Sequence, residues 1–278
     1  MTGLRNLLAA LPVFLCVLVA GCGKDVFISL VPPTPATTGT GNWFFSGYYA
    51  DGCCGIVPYY FGGSLINNGG QLSGVLHIDQ SCFGSYATDV PYTGTLDGKN
   101  NLSITSSPIS GQILTLQGTM SADASTLNGG TFSVARGCAG GILSGTFGSG
   151  PFAEETQGIR VPGLTGTWTS SPTTGGGLGI SVTEQLTQSS TPDAHGDYAL
   201  TGTMTVQGSP CFTKGTLQTT SFVSGEEGHE LLLMDDGSTL DASLMVSFVA
   251  NQTKPILGLE QAVIAGGKCN GELNVNLQ

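Results

Sequence analysis

One five-residue pattern, apolar-x-Gly-x-apolar, recurs along this chain and restricts what it can fold into. Leu72-Ser-Gly-Val-Leu76 runs on to Cys82-Phe83, and Leu200-Thr-Gly-Thr-Met204 runs on to Cys211-Phe212 with one residue added before the cysteine. Shorter forms stand at Tyr92–Leu96, Leu116–Met120, Leu143–Phe147 and Leu164–Trp168, and a weaker one, with Thr in place of the first apolar residue, at Thr213–Leu217. A period of two places Leu72, Gly74 and Leu76 on one face, which is strand periodicity and not helix periodicity. A glycine in mid-strand weakens a sheet, and it is kept where the sheet coils tightly or where another backbone or a ligand comes close. The pattern therefore predicts curved, closed antiparallel sheets.

Composition agrees. The 278 residues include 44 glycines, only 10% are charged, and no stretch reads as a long helix built from Glu, Lys, Leu and Ala. The net charge is -11 and no basic cluster occurs, so nucleic acid is excluded as an expected partner, because phosphate binding needs clustered Lys and Arg. No nucleophile elbow, zinc-protease helix or phosphate loop is present. The histidines, His77, His195 and His229, read as surface or loop side chains, His77 because it lies on the strand face opposite Leu76. A calcium reading of Asp235–Asp241 lacks the full ligand spacing. The expectation is a protein that is not an enzyme and carries no cofactor and no metal.

Residues 1–21 begin with a short segment carrying Arg5 and continue with an apolar run from Leu7 to Ala20. The run is too short to span a bilayer and suits a secretory signal. Its end, Leu18-Val-Ala-Gly-Cys22, resembles the lipobox of bacterial lipoproteins. That resemblance implies cleavage before Cys22, lipidation of its thiol, and a membrane partner reached through several acyl chains, each buried methylene adding about 0.8 kcal/mol. It also implies the bacterial cell envelope. Gly23 and Lys24, with no Asp directly after the cysteine, point to the outer membrane, on a side the sequence leaves open. Residues 22–41 contain Pro32-Pro-Thr-Pro35 and read as an extended tether.

The remainder is duplicated. Trp43 to Cys82 is 39 positions and Trp168 to Cys211 is 43, while Cys82 to Cys138 is 56 and Cys211 to Cys269 is 58. The boundaries are 42–148 for the first copy, 149–163 for a linker and 164–278 for the second. Turn signals at Asn67–Gly70, Asp97-Gly98, Asn100-Asn101 and Asn128–Gly130 divide the first copy into about eight strands, with a further hairpin cue at Asp236-Gly237. Eight strands suit a small up-and-down barrel. Gly41-Asn-Trp43 and Gly166-Thr-Trp168 resemble the first-strand Gly-x-Trp of lipocalins and avidins. The predicted fold is thus all-β, two tandem antiparallel barrel-like domains of lipocalin or avidin type, with a single joint sandwich as the alternative.

With Cys16 in the signal and Cys22 as anchor, six cysteines remain. The duplication favours Cys82–Cys138 and Cys211–Cys269, each bridge contributing about 2–4 kcal/mol. Cys53 and Cys54 pair with each other or elsewhere. Eleven of the 21 aromatics lie from Trp43 to Tyr92. They fill a core, or Tyr48, Tyr49, Tyr59 and Tyr60 line a rim that binds a small apolar or glycan ligand beside Asp51 and Asp89. The competing expectation is a structural or adhesive protein without a pocket. Cys22→Ser is expected to abolish incorporation of labelled palmitate in a bacterial host; a labelled C22S protein would refute the anchor.

Overall fold

The computed structural model describes residues 39–51, 55–79, 89–135, 142–146, 158–170, 179–247, 254–268 and 270–278. The signal and tether, and cysteines 22, 53, 54, 82, 138 and 269, lie outside them. The described residues form strands and turns with no helix.

In the first copy, β1 (Gly41–Asp51), β2 (Gly55–Asn68), β3 (Gln71–Asp79), β4 (Val90–Leu96), β5 (Asn101–Ser106), β6 (Ile113–Met120), β7 (Thr126–Ala135) and β8 (Ile142–Thr146) each pair antiparallel with the next. β8 returns to β1 through Tyr48↔Thr146 and Tyr49↔Gly145, closing an eight-stranded barrel. β8 fills only one end of the gap between β7 and β1. The other end is filled by β9 (Gly158–Arg160), which pairs with Trp43–Phe45 and with Thr126-Leu127. The last part of the predicted linker is therefore a strand of the first barrel's wall.

Alternation explains the interior. Leu72, Leu76, Leu102, Ile104, Leu114 and Leu116 point inward and are buried, each such side chain contributing about 1.5–3 kcal/mol. Trp43 stacks on Phe45 at 5.8 Å, Phe45 on Phe61 at 5.1 Å, and Phe61 meets Phe132 edge-on at 5.9 Å. Among the described residues, inward side chains pack together in the barrel's interior. The mid-strand glycines answer to close approach: a β-carbon on Gly74 would run into the Ser64 carbonyl oxygen, and one on Gly202 into that of Gln185. Over Gly74, the Tyr92 hydroxyl donates to Ser64 O at 2.8 Å.

One expected hairpin is something else. Asn128–Gly130 lies inside β7, where the register passes from Gln117↔Thr131 to Thr119↔Asn128, a bulge. The β6–β7 reversal falls at 121–125 instead, because Ser121 Oγ accepts from the backbone N–H of Ser125 and Thr126 at 3.1 and 3.0 Å.

The second copy contains β10 (Gly166–Thr169), β11 (Ser181–Gln188), β12 (Tyr198–Gln207), β13 (Lys214–Leu217), β14 (Phe222–Ser224), β15 (Glu227–Met234), β16 (Thr239–Ser247), β17 (Ile256–Ala265) and β18 (Gly271–Leu277). They form one sheet in the order β10-β11-β12-β13-β15-β16-β17-β18, with β14 bridging β12 and β15. The expectation of a second barrel is corrected: among the described residues no ladder closes this sheet. β10 has four residues where β1 has eleven. Among the described residues its backbone bonds to the β18 end run from Thr169 N–H to Gln278 O (3.0 Å) and from Gln278 N–H to Thr169 O (2.9 Å). The sheet still curls around its own apolar core, which includes Trp168, Leu200, Met204, Leu232, Leu244 and Leu259. That interior also holds Glu184 and Glu230, both 0% exposed.

Both copies belong to one compact unit, Gly39–Gln278. They dock through the outer face of β1 and β2. Phe44, pointing away from Trp43 and Phe45, enters the second core together with Val161 and Leu164. Asn42 Nδ2 donates to Gly225 O at 2.9 Å, and Gly225 N–H returns a bond to Asn42 Oδ1 at 2.6 Å. Gly225, at φ 63°, lies against Gly62, and a β-carbon there would stand 2.8 Å from the Gly62 Cα. Gly225→Ala is expected to destabilise the folded unit by about 1–3 kcal/mol, from overpacking and positive φ together. Unchanged denaturant midpoints would show that the junction tolerates separation.

Candidate functional site

At the junction, side chains of both copies converge beside a cleft of about 480 Å³. β3 sends Leu76 and Ile78 inward, so His77 points outward. The outer face is not open solvent there, because the 192–197 turn of the second copy covers it. Asp193 builds that turn: its Oδ1 accepts from the backbone N–H of His195 (2.8 Å) and Asp197 (3.0 Å). The turn delivers His195 and Asp197 opposite His77 and Asp89, the latter one residue before β4. The β14–β15 hairpin supplies the remaining wall with Phe222, Ser224 and Glu227.

The contacts cross the junction. His77 Nε2 lies 3.0 Å from His195 O and 3.1 Å from Asp197 Oδ1, while its Nδ1 lies 3.8 Å from Asp89 Oδ1. His195 Nδ1 lies 2.7 Å from Asp89 Oδ2. Asp89 thus serves both imidazoles. For His77, burial opposes the charged ring, but the Asp197 hydrogen bond and the Asp197 and Asp89 charges outweigh it and raise its pKa. His195, an exposed side chain, is raised by its hydrogen bond to Asp89, the Asp89 charge and that of Asp193. A raised imidazole pKa adds stability that is full below about 6.5 and is lost as the pH climbs through the folded value.

The cleft offers carboxylate acceptors, two imidazoles, an aromatic ring and one unused hydroxyl. Ser224 Oγ is buried and makes no hydrogen bond. It is therefore not engaged by either imidazole, as a nucleophile and base would be. No group of three His, Cys, Asp or Glu residues among the described residues is arranged to hold a metal ion.

Of the residues expected to bind ligand, Tyr60 stacks on Phe44 at 6.0 Å and packs against the second core, inside the junction and not on an open rim. Tyr48, Tyr49 and Tyr59 lie on the paired β1 and β2 backbones, and their side chains lie outside the described residues. Cys211 is partly buried against the second core; Cys53, Cys54, Cys82, Cys138 and Cys269 lie outside the described residues. Asp89 is in the cleft. His229 belongs to β15, not to a loop, with Nε2 2.8 Å from Asp241 Oδ1. His77 and His195, read from sequence as solvated, are the centre of the site. The missing signal was the other copy's surface, which no strand pattern encodes.

No protein-family model, curated protein or solved structure matches this chain.

Asp89→Asn is expected to lower the pKa of both His77 and His195 in a proton NMR titration, since one carboxylate supports both. If only one ring responds, the shared arrangement is refuted.

Proposed function

We propose that this chain is a lipid-anchored protein of the bacterial envelope, held at the outer membrane by the lipid on Cys22, that binds a small glycan without transforming it. The folded part stands on the tether of residues 22–41 and is stapled by Cys82–Cys138 and Cys211–Cys269 bridges. The ligand site is the junction cleft, not the barrel interior. The observation that carries this reading is the buried, unpartnered Ser224 hydroxyl in a cleft shared with Phe222, Asp89 and Glu227. Buried polar groups are ordinarily satisfied, so a free hydroxyl beside carboxylates suits a ligand rich in hydroxyl groups. The Phe222 ring offers an apolar face to a sugar ring.

The filled interiors favour a second reading, a structural or adhesive envelope protein whose partner is another envelope component. In that case the cleft stays without a small ligand.

The two readings separate in native mass spectrometry of residues 23–278 with a panel of envelope-derived oligosaccharides. A bound sugar whose affinity falls roughly tenfold in Ser224→Ala, the value of about one hydrogen bond, and further in Phe222→Ala, supports the glycan site. Absence of any bound sugar, or binding indifferent to both substitutions, overturns it and leaves the structural reading.

A further inference from the structure

The second sheet carries a pair of carboxyls that the junction cleft does not use. Glu184 on β11 and Glu230 on β15 occupy inward positions, flanked by Val182 and Leu186 on one strand and by Leu232 and Met234 on the other. Both residues are 0% exposed, and among the described residues they are the only buried charged side chains. Among the described residues no N–H or O–H of any third residue donates to their four carboxyl oxygens. Their strands are not neighbours, since β12 and β13 lie between them in the sheet, so the two side chains meet across the interior and interact with each other. Two facing carboxylates in an apolar core repel and carry an uncompensated desolvation cost, whereas a carboxylic acid and a carboxylate make one strong hydrogen bond.

Glu184 sits beside the point where the sheet's end strands meet. Glu184 is paired in register with Trp168 on β10, and the next pair is Thr169↔Thr183. Thr169 is the residue whose two backbone bonds to Gln278 are the contact between the sheet's end strands. Charge appearing at Glu184 therefore acts one residue from the seam.

We propose that Glu184 and Glu230 form a proton-sharing latch that keeps the second sheet shut along the β10–β18 seam, and that losing the shared proton opens the seam. Burial pushes Glu230 up to about 7, against the lowering effects of its bond to Glu184 and of the neighbouring His229 charge. Burial, then the Glu230 charge, raises Glu184 well above the ordinary carboxyl range. The other titratable groups described on the surrounding elements do not neutralise the pair: Lys214 on β13 is exposed, and the Arg160 charge acts on Tyr198. Tyr198 on β12 is buried with its hydroxyl unpartnered and raised by burial, Lys254 lies 5.5 Å over the Trp168 ring, and Asp241, Glu260 and Glu272 are on the exposed faces of β16, β17 and β18. Because the folded-state values are raised, the stability linked to these protons is full below about 4.5. It declines as the pH rises through 7 and beyond.

Hydrogen exchange of the full chain, corrected for intrinsic rates and read between pH 6 and 9, tests the latch. Protection of segments 166–170 and 272–278 is expected to fall by up to roughly tenfold per pH unit, the dependence of an opening that releases one proton, while strands β4–β6 of the first barrel hold. Segment 192–197 is read separately, because the junction imidazoles titrate in the same direction. In Glu184→Gln/Glu230→Gln, whose amides bond to each other without titrating, the seam's pH dependence is expected to vanish. Seam protection that tracks the first barrel at every pH, or a double variant that keeps the dependence, overturns the proposal. If that variant does not fold, infrared spectroscopy of the wild-type protein decides: a protonated carboxyl band persisting at pH 8 supports the latch, and its absence refutes it.

Discussion

A single strand, β1, serves two cores, and the rest of the architecture depends on that division. Trp43 and Phe45 fill the first barrel while Phe44, between them, crosses into the second. Strand alternation sends successive side chains to opposite faces, so an outward aromatic on a closed barrel either faces water or must be covered. Here it is covered, and the cover is the other copy. Asn42 and the bare backbones of Gly62 and Gly225 bring the two surfaces into van der Waals contact, and the 192–197 turn follows, carrying His195 and Asp197 to His77. The cleft depends on this docking, because its walls belong to different copies.

Much of this was legible in the chain, and the parts that were not share a cause. Period-two alternation and the turn residues at 67–70, 97–101 and 236–237 marked strands and hairpins because these are local choices of backbone and side chain. The close approach at Gly74 and Gly202 was likewise readable from glycine on an apolar face. What failed was anything decided by a surface distant in sequence. His77 was assigned correctly to the outer face, but outer did not mean solvated. Asn128–Gly130 carried a hairpin composition, yet Ser121 supplied better capping a few residues earlier and left the glycines to form a bulge. Glu184 and Glu230 did leave a trace: each occupies the inward phase of an otherwise apolar alternation, Val182-x-Glu184-x-Leu186 and Glu230-x-Leu232-x-Met234. A charged residue in that phase is the sign of a buried polar pair, although it does not name the partner.

The duplication has kept the scaffold and let the interiors diverge. Among the described residues the first barrel holds stacked aromatics and no buried charge, and it closes fully. The second exchanges an aromatic stack for two carboxyls, and among its described residues the end strands meet through one residue pair without closing into a barrel. Dispersion contacts between rings hold across a broad pH range, whereas a carboxyl pair holds only while a proton remains to be shared. The copies are thus alike in strand order and unlike in what stabilises them.

One bond was retained in both. Trp43 Nε1 donates to Gly39 O at 2.6 Å, and Trp168 Nε1 to Leu164 O at 2.8 Å, each closing the entry to its copy's first strand. These are the chain's two tryptophans, and both indoles are buried in separate cores. The molecule therefore carries one intrinsic fluorophore per copy, placed alike relative to its own backbone and unlike in its surroundings. Replacing either one with Phe would leave a single emission band that reports on one copy alone.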